Sequence, residues 1–108
     1  MMSRDPSSPH NPVITEASPG VFQLTGTLDL ATLMEFRQQI DERVPFAQNV
    51  RLDLSVLDVK GSGVLALLTW CLRRASIEGG TVIIENPPER LRKIAELADI
   101  QGILGLQS

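Results

Sequence analysis

The residues best suited to chemistry lie in one glycine-rich segment, Asp58 to Gly63, which reads DVKGSG. Ser62 stands there between two glycines, in the manner of a hydrolase nucleophile. The strained G-x-S-x-G turn of those enzymes also needs glycines where this chain has Lys60 and Val64. The sole histidine, His10, lies in the Ser- and Pro-rich N-terminal stretch and is not placed to activate a serine. We therefore expect no catalytic residue and prefer helix capping as the role of Ser62; a small hydrolase that uses Ser62 is the least favoured interpretation.

The same segment joins a predicted strand to a predicted helix. Asn49–Ser55 alternates apolar and polar residues, which predicts a half-buried strand, and the apolar spacing of Val64–Leu72 predicts a helix. Unpaired N–H groups and the positive end of the helix dipole suit an anion, a phosphorylated side chain or a partner protein. Lys60 adds a positive charge there, which is unfavourable unless an acidic partner group offsets it. Lys60 is therefore the best single indication of a binding surface.

Several other kinds of chemistry have no support in the sequence. One histidine and one cysteine, far apart, do not form a set of metal ligands. Gly61-Ser62-Gly63 is too short for a nucleotide-binding fingerprint, and the chain has no G-x-x-x-x-G-K-[ST] motif. The formal net charge is -3 and no basic stripe is present. We predict no metal, no cofactor and no nucleic-acid partner.

The elements that hold this segment belong to one domain of a 108-residue chain. Residues 1–12 are expected to be a disordered lead-in, and residues 13–108 the domain. Val13–Ala17 and Val21–Leu24 predict a hairpin whose first strand lies at a sheet edge, and Gly26 is expected to end the second strand. A helix is predicted over Leu30–Val44. Its apolar face consists of Leu33, Phe36, Ile40 and Val44, and its start is capped by Asp29 or Thr32.

The second half of the chain continues the alternation of strands and helices. The helix after Ser62 is expected to end near Ile77, before Gly79 and Gly80. Thr81–Ile84 is an apolar, β-branched run, which predicts a strand covered on both faces. A last helix should follow Asn86-Pro87-Pro88, with a short turn or strand over Ile100–Leu106. This order indicates an α/β domain with a partly parallel sheet.

Hydropathy argues against insertion into a membrane. The apolar content is 43% and the mean hydropathy is +0.05, both ordinary for a globular protein. The longest apolar run, Val64–Leu72, is far shorter than the roughly 20 residues that cross a bilayer. No apolar signal region appears near the N-terminus. We expect a cytoplasmic protein that reaches a membrane only through a partner.

Two stretches resemble the STAS family of small regulatory domains. Residues 24–32 read LTGTLDLAT, similar to the L-x-G-E-L-D-L-A-T segment of that family, with Thr27 in place of Glu. Residues 57–65 read LDVKGSGVL, similar to its I-D-S-S-G-L-G-V-L segment. The resemblance covers roughly residues 13–104. It implies a mixed sheet of about four to five strands with about three to four helices.

One departure from the family pattern bears on function. In the sigma-regulatory members, a Ser or Thr directly after the motif Asp accepts phosphate from a partner kinase, whereas this chain has Val59 after Asp58. The resemblance therefore implies that no intact phosphoacceptor is present. Ser62 is a displaced candidate, Ser55 is a second serine to check, and Val59→Ser is expected to restore acceptance of phosphate.

Within the family, the chain looks most like the STAS subunit of Mla-type phospholipid ABC transporters. That resemblance implies a non-catalytic domain that docks on the transporter ATPase. The alternative is an anti-sigma factor antagonist, whose partner would be an anti-sigma factor kinase. Trp70 is expected to pack in the core or at its boundary, in preference to serving as an exposed docking anchor, and Cys71 in the core. The predicted partner-binding residues are Asp58, Val59, Lys60, Gly61, Ser62, Gly63, Asp29 and Thr32.

Overall fold

A computed structural model describes residues 11–97, which form five strands and three helices. In chain order these are β1 (Val13–Ser18), β2 (Val21–Leu28), α1 (Leu33–Arg43), β3 (Asn49–Asp53), β4 (Leu57–Val59), α2 (Gly63–Glu78), β5 (Thr81–Glu85) and α3 (Glu89–Leu97). The predicted α/β class is confirmed. The first ten residues of the predicted lead-in and the segment Ile100–Leu106 lie outside the described residues.

The sheet is mixed and runs in the order β1-β2-β3-β5, with β4 paired to the far end of β2. β1 is antiparallel to β2, as the hairpin predicted, and the remaining pairs are parallel. The prediction that Gly26 ends β2 is wrong, because the strand continues to Leu28. Gly26 has a φ of +114°, and from this residue onward the parallel partner of β2 is β4 instead of β3. The glycine redirects the strand without ending it.

The core lies on one face of the sheet, beneath α1 and α2. Leu24 on β2, Leu52 on β3 and Ile84 on β5 are fully buried, and they alternate with residues on the other face. From α1, Phe36 and Ile40 complete the same core, as the helical periodicity predicted. Burying side chains of this size contributes about 1.5–3 kcal/mol each.

The opposite face of the sheet is polar and open among the described residues. Arg51 on β3 forms an ion pair with Glu85 on β5, with N···O at 3.4 Å. The prediction that Thr81–Ile84 is covered on both faces is wrong, since Ile83 is 44% exposed. Its register opposite Arg51 places Ile83 on this polar face. A run of β-branched residues indicates a strand, but it does not by itself indicate whether one face or both faces of that strand are buried.

The end of α2 fixes the entry to β5. Gly79 has a left-handed backbone with φ +88°, and its N–H donates to the carbonyl of Ala75, which confirms the predicted helix stop. Gly80 lies against the backbone of the preceding loop. A Cβ at this position would stand 2.2 Å from the carbonyl oxygens of Phe46 and Gln48. Only glycine fits there without displacing the backbone.

Trp70 and Cys71 take the positions that were predicted for them. Trp70 is half-buried at the boundary of the core, and its ring meets Phe46 edge-on with 5.8 Å between ring centroids. Cys71 is fully buried, and burial raises the pKa of its thiol to about 12, partly opposed by the nearby Arg74 charge. The thiol is therefore protonated and unreactive at neutral pH.

The last helix begins after the proline pair, as predicted. The N–H of Arg92 donates to the carbonyl of Pro88 at 3.1 Å, and Leu91 and Ala95 are buried in the core. Across residues 11–97, no helix is both long and apolar enough to cross a bilayer.

Candidate functional site

The two stretches that carry the family resemblance meet at one edge of the sheet. β2 and β4 run parallel, with Leu28 opposite Val59, so both strands end at the same level. Just beyond them, the N–H of Lys60 donates to the carbonyl of Leu28 at 2.9 Å. Asp29 directly follows Leu28, which brings it beside the Lys60 turn. The structure thus gathers the predicted residues from both stretches at one place.

The predicted turn is shorter than its sequence suggested. Asp58 and Val59 belong to β4, so the prediction of a turn over Asp58–Gly63 is wrong at its start. The two side chains point to opposite faces: Asp58 is exposed and accepts a hydrogen bond from Thr27 at 3.4 Å, whereas Val59 is 3% exposed. We therefore remove Val59 from the residues that can touch a partner. A serine at position 59 would also be buried, which argues against the expectation that Val59→Ser restores phosphorylation.

The turn itself consists of Lys60, Gly61 and Ser62, all exposed. Gly61 has a φ of +77°, and a Cβ there would meet nothing within 4 Å, so backbone conformation is the reason for glycine. Ser62 occupies the N-cap position of α2, as predicted, but its hydroxyl makes no cap hydrogen bond. Only its carbonyl takes part, accepting from the N–H of Leu65 at 3.0 Å. The hydroxyl stays open to solvent.

Asp29 and Thr32 hold the neighbouring loop in shape. The N–H of Thr32 donates to the Asp29 carboxylate, and the N–H of Asp29 donates to the Thr32 hydroxyl, each at 3.0 Å. That hydroxyl in turn donates to the carbonyl of Thr27 at 2.6 Å. Thr32 is only 6% exposed, so it cannot contact a partner directly as the sequence had suggested. Its role is to fix the entry to α1.

Two exposed apolar side chains, one before α1 and one in its first turn, were missed by the sequence analysis. Leu30 is 85% exposed and Met34 is 65% exposed. A Cβ on Gly63 would lie 4.0 Å from Leu30 and 3.8 Å from Leu33, so the start of α1 packs against the start of α2. Their exposure could have been predicted from the sequence, because Leu30 and Met34 are four residues apart and lie off the predicted buried face of the helix.

The outward side of α2 extends the surface away from the turn. Ala66, Thr69 and Arg73 are exposed at helical spacing, and Ile77 is 74% exposed on the same side. Small side chains near the turn leave the helix backbone accessible to a close neighbour. The turn and this side of α2 form one continuous surface.

The site holds no assembled catalytic machinery in the part of the chain that the structure describes. No hydrogen bond joins the Ser62 hydroxyl to another group of residues 11–97. Within the same residues, no group of three or more His, Cys, Asp or Glu side chains is arranged to hold a metal ion. What the turn presents is a lysine charge, an open hydroxyl and an apolar neighbour, which suit docking better than bond-making.

A carboxylate on the neighbouring strand shows a lowered pKa. Asp53, at the end of β3, accepts a hydrogen bond from the Asn86 side chain at 3.0 Å, and this bond is the largest cause of its lowered pKa. The Ser55 N–H and the Gln23 amide add smaller contributions, and partial burial opposes them. The Asp53 carboxylate thus links β2, the loop after β3 and the residue after β5, and it lies on the polar face of the sheet.

Comparison with known proteins supports the assignment made from the two motifs. A family model described as "Mlab, STAS domain" matches residues 13–106. Among solved structures, the chain is similar to the anti-sigma factor antagonist SpoIIAA in its unphosphorylated form, with a TM-score of 0.62. The two share 17% sequence identity over 90% of this chain and 99% of that chain, a likeness that shows the fold alone. No curated protein matches the sequence.

Proposed function

The chain belongs to the MlaB-type STAS domain family, and from this we propose that it is a non-catalytic regulatory subunit of a phospholipid ABC transporter. Its partner is the cytoplasmic ATPase of that transporter. The chain binds this ATPase and supports its activity. It transfers no group itself.

The observation that carries this proposal is the exposed turn of Lys60, Gly61 and Ser62 at the start of α2. The turn stands clear of the core, beside an apolar residue, Leu30, that is 85% exposed. An exposed apolar side chain next to an exposed charge is typical of a docking surface, where the apolar group gives affinity and the charge gives orientation. We assign the contacts to this turn, to Asp58 and to the outward side of α2.

A second candidate function is that of an anti-sigma factor antagonist. The fold likeness to SpoIIAA favours it. Val59 opposes it, because a buried valine stands where the sigma-regulatory members carry their phosphoacceptor. A partner switch that depends on phosphate would have to use another residue.

Affinity purification of the tagged chain from a detergent extract of native membranes tests the proposal. We expect an ABC-type ATPase and its permease in the eluate, and both should be lost from a Lys60→Glu variant at low salt. Arg92→Glu, on α3, is the charge-matched control and should retain both. An eluate that holds an ATP-dependent kinase and no transporter subunit would favour the antagonist instead.

A further inference from the structure

α1 and α2 leave an open groove between them, with a volume of about 450 Å³. Its lining combines an aromatic floor with charged and flexible side chains. The residues are Met34, Arg37, Gln38, Asp41, Trp70 and Arg74.

The floor of the groove is the half-buried ring of Trp70. The guanidinium of Arg37 lies 4.9 Å from the ring centroid and that of Arg74 lies 5.3 Å from it. Phe46 supports the ring from the core side. Cation–π contacts hold both guanidinium groups close to the aromatic surface while leaving their N–H groups able to bond. The floor therefore offers apolar area and hydrogen-bond donors together.

The charges around the floor are not balanced. Arg74 forms ion pairs with Asp41 and with Glu78, and the Asp41 bond is the largest cause of the raised pKa of Arg74. Asp41, the only carboxylate among the described residues that line the groove, is thereby already paired. Arg37 is exposed and has no carboxylate partner among residues 11–97. The groove presents one uncompensated positive charge.

Two exposed apolar side chains lie near the groove and the turn. Met34, which lines the groove, is 65% exposed, and Leu30, in the turn before α1, would lie 4.0 Å from a Cβ at Gly63. Exposed apolar side chains in a row, bordered by charge, mark a surface that another chain covers. Leu30 thus lies near the proposed docking turn, and Met34 lines the groove.

We propose that this groove binds a helical segment of the partner ATPase that carries a large apolar side chain and, beside it, a carboxylate. The apolar side chain rests on Trp70 and Met34, and the carboxylate bonds the guanidinium of Arg37. A symmetric pairing of two copies groove to groove fits less well, since the described lining of the groove offers no free carboxylate to pair with Arg37. The proposal rests on the proposed function and extends its surface along α1.

A photo-cross-linking experiment on the purified complex separates the two proposals. Benzoylphenylalanine is placed at Met34 in one variant and at Lys60 in another, both exposed positions, with Arg90 on α3 as the control position. We expect the Met34 probe to cross-link to an ATPase peptide that contains Asp or Glu beside a large apolar residue. Cross-links to the ATPase from position 60 but not from position 34 would overturn the groove and leave the proposed function standing. A cross-link from position 34 to this chain itself would overturn the groove proposal in favour of a dimer, and none to the ATPase from either position would overturn both proposals.

Fluorescence of Trp70, the single tryptophan of the chain, then tests directly whether a bound peptide covers this ring. A synthetic peptide of the cross-linked segment, without tryptophan, should shift the emission to shorter wavelength as it covers the ring. Arg37→Glu should weaken its affinity about tenfold at low salt, and less at high salt. Arg90→Glu is the matched control and should leave the affinity unchanged. Equal affinities for the wild type and Arg37→Glu would contradict the proposed carboxylate contact.

Discussion

Lys60 and Val59 are neighbours in the chain, but they differ in their exposure to solvent. Val59, the last residue of β4, is buried in the core, and Lys60 is exposed one residue later, where the turn begins. A substitution at one position therefore acts on stability, and a substitution at the other acts on binding.

Charge reversal at Lys60 is expected to affect binding and stability in opposite directions. Lys60→Glu removes a positive charge near the start of α2, so the isolated domain should gain about 0.3–1 kcal/mol or stay unchanged. Binding to the ATPase should weaken, most at low salt, because attraction to an acidic group becomes repulsion. Thermal melts paired with pull-downs at two salt concentrations measure both effects, with Arg92→Glu as the control. Unchanged binding would move the interface away from this turn.

A hydroxyl at position 59 is expected to destabilise the domain and not to create a phosphoacceptor. Val59→Ser buries a polar group in the core and should lower the free energy of unfolding by about 1–3 kcal/mol. Val56→Ser, at a 53% exposed position, is the control and should change stability by less than about 0.5 kcal/mol. Urea denaturation measures both variants.

Incubation with ATP and a kinase that phosphorylates sigma-regulatory STAS domains should leave residue 59 unmodified in wild type and in Val59→Ser. Mass spectrometry of the intact and digested protein is the readout. Phosphate on Ser62 or Ser55 would show instead that the switch is displaced within the chain.

At the scale of elements, the positions of strand ends and tight turns determine where the candidate site lies. β4 has three residues, and its pairing to the far end of β2 sets where the Lys60 turn starts. Gly80 sets the entry to β5, and Asp53 fastens the end of β3 to neighbouring segments. These connections position the docking surface although none of them belongs to it.

Gly80→Ala should be strongly destabilising. Its Cβ would meet two backbone carbonyl oxygens at 2.2 Å, so the loop before β3 must move, at a cost of about 1–3 kcal/mol or more. Gly63→Ala is the matched control, because its Cβ meets only the Leu33 and Leu30 side chains at ordinary contact distance. This control should be neutral or slightly stabilising, as alanine favours a helix. Chemical denaturation that gave equal stabilities for the two variants would contradict the close approach at Gly80.

The Asp53 carboxylate should make stability depend on pH in the acid range. Its folded pKa lies below its ordinary value of 3.8, so its contribution is present above that pH and lost as the pH falls through the folded pKa. Asn86→Gly removes the largest cause while keeping the positive φ of +51° accessible. Wild type should therefore be more stable than Asn86→Gly at pH 6, and the difference should shrink as the pH falls below 3.8. A difference that stays constant with pH would rule out this role for the carboxylate.

At the scale of the whole molecule, the sequence predicted the class of fold better than its details. The helices α1 and α2 were predicted because their apolar spacing is local and long. β4 was not, since three residues carry too little periodicity and become a strand only by pairing with β2, which is distant in sequence. Ile83 was misplaced because the same residues suit a strand covered on one face or on two.

The candidate site shows the same difference between what local patterns predict and what tertiary contacts determine. The structure brings Asp29 and the Lys60 turn to one edge, because the parallel strands β2 and β4 end together there, and the partner-binding role of these residues stays a prediction. The motifs did not tell that Thr32 and Val59 are buried or that Leu30 is exposed, because side-chain direction depends on the strand pairing and helix packing that surround each residue. Local pattern predicts which segments meet, and tertiary contacts decide which side chains a partner can reach.

We propose that this domain acts on an ATPase by docking and catalyses nothing itself. The most direct measurement is the rate of ATP hydrolysis by the purified ATPase–permease complex, with and without this chain. We expect no hydrolysis by the chain alone, a higher rate when wild type is added, and loss of that increase with Lys60→Glu at low salt but not with Arg92→Glu. An ATPase rate that is the same with and without the chain, under conditions where the subunits are all folded, would contradict the account.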